Sequence, residues 1–202
     1  VLRKKTGDRI TVTDGARNIY HCEISFTDKE KIICKILTKE YNLFEPGINL
    51  SLYISPLRNL SRFEFAIEKA VELGVISIQP VITEHTISKN SIGKTKSERL
   101  KKIVIGSMGQ SQRCVLPELL DTISLNELIN RSEVLQNKIV MYESSDDNSE
   151  IELNGKDVSL LIGPEGGFSR EEINLLMKNK WQVKSLGSRK LRAETAAIVS
   201  IH

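Results

Sequence analysis

The hydrophobic pattern of the chain changes period once. Up to about residue 46, apolar and polar positions alternate with the two-residue period of half-buried strands. Arg9–Thr13 alternates and ends in the turn pair Asp14-Gly15, and Tyr20–Phe26 places Cys22, Ile24 and Phe26 on one face. Lys31–Leu37 follows the short turn Asp28-Lys29-Glu30. The three segments predict a small antiparallel sheet or partial barrel, which at this size needs a further surface or closure to be stable.

Glu45-Pro46-Gly47 marks the clearest boundary, dividing a small β domain at 1–47 from an α/β domain at 48–202. Beyond it, strands and helices alternate. Leu50–Ser55 reads as a buried strand. Ser61 and Glu64 have the spacing of a capping box before a helix carrying Phe63, Ile67, Ala70 and Val71, with Gly74 at its end. Val75–Ile82 is the next strand, and Pro80 places its end near an edge or bend. A polar loop over 83–97 precedes a helix over Glu98–Met108. Leu116–Leu120 is a short connection or strand, Ser124 and Glu127 open a third capped helix, and Lys138–Tyr142 is a strand. Ser159–Ile162 then runs into the loop Gly163-Pro164-Glu165-Gly166-Gly167-Phe168, and Ser169 with Glu172 forms another capping box. Ile173, Leu176 and Met177 share the buried face of the helix that follows. A strand over Gln182–Leu186 ends at Gly187, and the basic loop Ser188–Arg192 enters a last helix. Two glycine-bearing loops thus follow the carboxyl ends of two strands, which is where an α/β sheet places ligands.

Composition narrows the classes. Of 202 residues, 40% are hydrophobic and 27% charged, the make-up of an ordinary globular protein, and no apolar run is long enough to span a membrane. The opening Val-Leu-Arg-Lys-Lys has no secretory pattern and no initiator Met, so leading residues are expected to be missing. Cys22, Cys34 and Cys114 form no metal-ligand spacing. Cys22 and Cys34 sit in apolar alternation as buried small hydrophobes, which fits a reducing, cytoplasmic location and no metal. His21, His85 and His202 are too scattered for a metal cluster. The net charge of +3 says little about partners, but its distribution says more. Lys89, Lys94, Lys96, Arg99, Lys101 and Lys102 outnumber Glu84 and Glu98 over 83–103, whereas Glu143, Asp146, Asp147, Glu150 and Glu152 form an acidic loop. One basic and one acidic side is the pattern of a protein that docks on RNA with one face; a solvated lysine-rich helix would produce it as well.

The loop at 163–168 alone is weak evidence. It lacks the Gly-Lys-Ser/Thr of a Walker loop and the Gly-x-Gly-x-x-Gly of a dinucleotide fold, and Glu165 argues against an anion cradle. The pair of segments LLIGPEGGFSREE (160–172) and LGSRKLRAETA (186–196), with EKAVELGV (68–75) and more loosely GQSQR (109–113), closely resembles the signature of bacterial small-subunit (16S) ribosomal RNA uridine N3-methyltransferases. These belong to the knotted SPOUT methyltransferase superfamily. The opening VLRKKTGDRITVTDG is similar to that family's leading domain. Two departures stand out: Gly109-Gln110-Ser111 replaces the usual Glu-Gln-Ser, and Lys190 and Ala193 replace common Ile and Thr.

The resemblance implies an α/β methyltransferase domain with a deep trefoil knot, preceded by a small PUA-like β-barrel. It also implies S-adenosylmethionine as cofactor, a homodimer, and 16S rRNA or the small ribosomal subunit as partner, with neither metal nor membrane. The cofactor would be held by Tyr142, Leu161, Gly163, Glu165, Gly166, Gly167, Leu186, Gly187, Ser188 and Leu191. Glycines there would let backbone groups reach an adenine edge, and leucines would line an apolar slot. Uridine N3 carries a proton and is a poor nucleophile until it leaves, so the site must offer a base or stabilise the anion. Arg192 is the first candidate for polarising the uracil carbonyls or gripping the phosphate, and Glu194 is the candidate base, although acidic residues are favoured in any first helical turn. Lys4, Arg9, Arg17, Arg58, Arg62, Arg113, Arg189 and Lys190 are candidate RNA contacts. The alternatives are a knotted methyltransferase acting on another RNA position, and a non-catalytic RNA-binding or ribosome-assembly protein.

Overall fold

The computed structural model describes residues 4–87, 92–145, 147, 149, 151 and 153–202. Lys89, Asp146, Glu150, Glu152 and the first three residues lie outside them. The chain divides into two compact units, Val1–Glu45 with Met108–Leu116, and Pro46–Ser107 with Pro117–His202.

In the first unit, β1 (Arg9–Thr13), β2 (Asn18–Thr27) and β3 (Ile32–Tyr41) form an antiparallel sheet in the order β1-β2-β3. Both turns are closed by aspartates: Asp14 accepts the Ala16 N–H at 2.8 Å, and Asp28 accepts those of Glu30 and Lys31 at 2.7 and 2.8 Å. Cys22 and Ile24 are buried as expected, but Phe26 is 45% exposed. Ile24 pairs with Cys34 and Phe26 with Ile33, so Ser25 is an extra residue in a bulge that turns Phe26 off the shared face. Cys34 is only half-buried. Among the described residues the sheet is open, and barrel closure is not seen.

The later segment Met108–Leu116 completes this unit through Val115, which bridges Ala16, and through one carboxylate. Glu45 Oε1 accepts the backbone N–H groups of Cys114 and Val115 at 2.8 and 3.0 Å, and Oε2 accepts Arg113 Nη2 at 2.7 Å and Nε at 3.2 Å. The Arg113 and Glu45 side chains are 3% and 2% exposed. A buried charge persists only when paired and hydrogen-bonded in this way. Burial works to raise the Glu45 carboxyl's pKa, but Arg113 and the two N–H groups outweigh it and hold it below the usual range. Arg113 is therefore a structural cation and not the RNA contact its sequence position suggests.

The second unit is a wholly parallel sheet with helices. It runs β4 (Asn49–Ile54), α1 (Leu60–Glu72), β5 (Ser77–Ile82), α2 (Lys94–Gln110), β6 (Glu118–Leu119), β7 (Ile123–Ser124), α3 (Leu125–Asn130), β8 (Lys138–Met141), β9 (Asp157–Ile162), α4 (Arg170–Lys178), β10 (Gln182–Lys184) and α5 (Ala193–Ile201). The strand order is β10-β8-β9-β4-β5-β6, with β7 also pairing β5. The buried run Val158–Ile162 suits a central strand covered on both faces. Pro80 lies inside β5 where its outer neighbour changes, β6 pairing Ser77 and Ile78 and β7 pairing Val81 and Ile82. A residue without an N–H fits that gap.

The capping boxes at Ser124–Glu127 and Ser169–Glu172 are both formed. The one expected at Ser61–Glu64 is not. Asn59 caps α1 two residues earlier, its side chain accepting the Arg62 N–H at 3.2 Å, while Glu64 is buried and takes Arg99 Nη2 at 2.7 Å. Gly74 follows the C-cap Leu73 with φ +103, and a side chain there would collide with Pro46. The core joins Tyr53, Leu128, Val140, Leu161, Phe168, Leu176 and Trp181, with the Tyr53 and Trp181 rings edge to face at 6.3 Å. Among the described residues no helix is long and apolar enough to cross a membrane. From β8 the chain steps inward to β9, then back past β8 to β10, which gathers the loops after these strands at one end of the sheet.

Candidate active site

Those three loops enclose a cavity of about 380 Å³. Met141, Tyr142 and Glu143 come from the end of β8 and the loop after it, and Ile162–Glu165, Gly167 and Phe168 from the end of β9 and its loop. Ser185–Gly187 and Arg189–Arg192 come from the loop after β10, Ala193 and Ala196 from α5, and Arg62 from α1. The volume and mixed apolar and polar lining are those of a small-molecule site.

Local bonds set the walls. The Tyr142 N–H donates to the Lys184 carbonyl at 2.9 Å, and the Ser185 N–H to that of Asp147 at 2.7 Å. The buried Lys184 ammonium donates to Asp147 Oδ2 at 3.0 Å and Ser149 Oγ at 2.7 Å. Hydrogen bonds from Ser149 and Lys184 hold the Asp147 carboxyl at a pKa of about 2. The second loop closes by a Gly167 N–H bond to the Pro164 carbonyl at 2.9 Å, with Gly167 at φ +69. A Cβ on Gly163 would stand 2.8 Å from the Phe168 ring, so only glycine lets that ring pack against the loop.

Of the residues expected from sequence to hold a cofactor, Tyr142, Gly163, Glu165, Gly167, Leu186, Gly187 and Leu191 line this cavity. Leu161 does not. Neighbouring side chains on β9 point to opposite faces, so Leu161 is fully buried in the core while Ile162 faces the cavity. Gly166 is outside the lining too; a Cβ there would stand 2.9 Å from that of His85, and the His85 Nδ1 lies 3.0 Å from the Gly166 carbonyl oxygen. Ser188 is exposed and outside the lining. Met141, Glu143, Ile162, Ser185, Ala193 and Ala196 also line the cavity and were missed from the sequence. The alanine spacing in RAETAA was the one signal that could have marked the last two.

The polar groups form a connected set. Arg62 Nε and Nη2 donate to Glu194 Oε1 and Oε2, each at 2.7 Å, and Arg62 Nη1 lies 3.9 Å from Glu165 Oε1. Glu165 also accepts the Arg58 backbone N–H, at 3.1 and 3.3 Å to its two oxygens. Arg62 holds the Glu194 carboxyl below the usual carboxylate range and is itself pushed up by that contact. Glu194, the candidate base, is thus buried against Arg62 and is not part of the cavity wall. Arg62, expected to meet RNA, instead spends its fork on carboxylates.

Arg192 occupies the N-cap position of α5, exposed, with no capping bond from its side chain, and it lines the cavity with Arg189 and Lys190. Lys190 Nζ stands 3.2 Å from Glu143 Oε1, both largely exposed, a pair of little energetic weight. Arg58 is exposed. In the first unit Lys4 and Arg9 are exposed, whereas Arg17 is half-buried at φ +72 and donates through its guanidinium to the Asn42 side chain. Carboxylates on one wall and exposed cations at the rim suit a cationic or neutral ligand inside and an anion outside. Among the described residues no group of three His, Cys, Asp or Glu could hold a metal ion.

Comparison with known proteins gives a consistent picture. A family model described as an RNA methyltransferase domain matches residues 45–202, and one described as an RNA methyltransferase PUA domain matches 1–37. The ribosomal RNA small subunit methyltransferase E of Aquifex aeolicus is 35% identical over 188 residues, spanning 91% of this chain and 80% of that protein. Its counterpart from Mesomycoplasma hyopneumoniae is 36% identical over 173 residues, 85% of this chain and 74% of the relative. The crystal structure of the same enzyme from Neisseria gonorrhoeae, bound to S-adenosyl methionine, superposes with a TM-score of 0.91 at 29% identity, covering 99% of this chain and 83% of that one.

Proposed function

We infer, from the premise that this chain belongs to the RNA methyltransferase family and within it to the ribosomal RNA small subunit methyltransferases E, that it transfers a methyl group from S-adenosylmethionine to N3 of a uridine in 16S ribosomal RNA. The observation that carries this reading is the cavity built from the loops after β8, β9 and β10, with Arg192 at its rim. The cavity fits the cofactor on its own chemistry. Leu186, Leu191, Ile162 and Phe168 make an apolar slot, loop backbone is open at Gly167 and Gly187, and the carboxylates of Glu143 and Glu165 tolerate a sulfonium where they would repel a phosphate. The solved Neisseria relative holds this molecule. Bound there, the cofactor supplies an electrophilic methyl group.

The chain's own residues do the rest. Arg192 offers two donors in a plane to the uracil carbonyls, stabilising the negative charge that remains when N3 loses its proton. Glu194 is occupied by Arg62, so the proton passes to solvent. Arg189 and Lys190 at the cavity, Arg58 beside it, and Lys4 and Arg9 on the PUA-like unit meet RNA phosphates. The target base is unpaired or flipped, since N3 lies within the base pair. Two further features complete the reading. The return of the chain past β8 to β10 supports a trefoil knot through the loop after β8, and α5, apolar on nearly every side with Val199 51% exposed, supports a homodimer through that helix. Its place of action would be the cytoplasm, with small ribosomal subunits.

The test incubates the protein and labelled S-adenosylmethionine with small subunits lacking modifications, then identifies methylated nucleosides after digestion. N3-methyluridine at one position, lost in a folded Arg192→Ala variant, is the expected result. Methyl on a ribose hydroxyl or another base would overturn the substrate.

A further inference from the structure

Arg62 is the cavity residue supplied by α1, and its side chain reaches the loop after β9 and the start of α5. Its fork grips Glu194 in the first turn of α5, next to Arg192, and its third nitrogen stands against Glu165 in the loop after β9. Glu165 in turn accepts the N–H of Arg58, just before the Asn59 cap of the same helix. Two separate pieces of the cavity wall are therefore fastened to one turn of α1. That turn is fixed by the Asn59 side chain bonded to Arg62's own backbone N–H.

We propose that Arg62 is a positioning residue, which sets the spacing between the loop at 163–168 and the start of α5, and through Glu194 fixes Arg192 over the cavity. This rests on the methyltransferase reading above. It separates Arg62 from the other arginines near the cavity, which face solvent, and it gives Glu194 a task other than accepting a proton. A fork with two parallel bonds fixes both distance and orientation of its partner, whereas a lysine in its place keeps the charge and loses the orientation.

The experiment compares wild-type protein with Arg62→Lys, Arg62→Met and the double variant Arg62→Met/Glu194→Leu, each first shown by thermal melting to be folded. Calorimetric titration gives the Kd for S-adenosylmethionine, and methyl transfer to small subunits at several salt concentrations gives kcat and KM. Arg62→Lys is expected to raise the cofactor Kd and lower kcat, each on the order of tenfold, with KM for the subunit and its salt dependence unchanged. Arg62→Met and the double variant are expected to lose the same amount, because the two side chains act as a unit. An RNA-phosphate role would instead leave the cofactor Kd intact, raise KM and reduce the slope of log KM against log salt by about one, and that would overturn the proposal. Unchanged Kd and kcat in Arg62→Lys would overturn it as well, leaving an ordinary ion pair. Failure of the wild-type protein to bind the cofactor would overturn the underlying functional reading, and is told apart because it precedes any substitution.

Discussion

Glu194 and Arg62 meet at two points, Oε1 on Nε and Oε2 on Nη2, both at 2.7 Å, across the contact between α5 and α1. Both carboxylate oxygens are committed to one cation, and the carboxyl titrates below its usual range as a result. A group with a lowered folded pKa stabilises the fold fully above its unfolded value of about 4.3, and the contribution disappears as pH falls through the folded value. Glu194→Gln should therefore melt at a lower temperature than wild type at neutral pH, with the gap closing in acid. The kcat profile near neutrality should keep its shape in this variant. A limb in that profile that vanishes with Glu194→Gln would make Glu194 a base after all.

Arg113 and Glu45 form a buried pair of a different kind, inside the first unit. Arg113→Ala strands the Glu45 charge and should cost about 3–5 kcal/mol in denaturant unfolding. The salt dependence of RNA binding by the folded fraction should not change. Stability within about 0.5 kcal/mol of wild type, together with a shallower salt slope, would return Arg113 to the RNA contacts.

Gly163→Ala should weaken cofactor binding, since the new methyl would sit 2.8 Å from the Phe168 ring and one of the two must give way. Phe168 is 5% exposed and part of the core, so the loop is the element that shifts. A loss of roughly tenfold in affinity corresponds to about 1.4 kcal/mol, and calorimetry would detect it directly. Combining Gly163→Ala with Phe168→Leu, which shortens the obstructing edge, should recover part of that loss.

The start of α1 offers a test of stability alone. Asn59→Ala removes the observed cap and should cost about 1 kcal/mol, while Ser61→Ala, at an exposed position inside the helix, should be close to neutral. Equal effects in urea unfolding would mean that the helix begins at Ser61 in solution.

These cases show what could be read from the residues and what could not. Serine followed by glutamate three places on marked two helix starts correctly, because both residues were free to serve the backbone. The same spacing misled at Ser61, where Glu64 is buried against Arg99 and an asparagine two residues earlier supplies the acceptor. The two glycine loops stood out because backbone geometry is local. The choice between Leu161 and Ile162 was not local, since it depends on which layer covers each face of β9. Arginines were hardest of all. Arg62, Arg113 and Arg192 look alike in a sequence, and only long-range partners separate a fastener, a buried cation and an exposed donor.

The place of β4 in the sheet has a consequence for biosynthesis. One edge of β4 pairs with β5 close by in the chain, but the other pairs with β9, and Asn49 meets Asp157 across 108 residues of sequence. At a synthesis rate of about 5–20 residues per second, that edge stays open for roughly 5–20 s after β4 emerges. For this interval the nascent chain presents a row of unpaired backbone groups flanked by Leu50, Leu52 and Ile54, a template for aggregation that chaperones would have to shield. A translation stop placed before Asp157 should leave a chain that cannot finish its sheet and is cleared as misfolded protein.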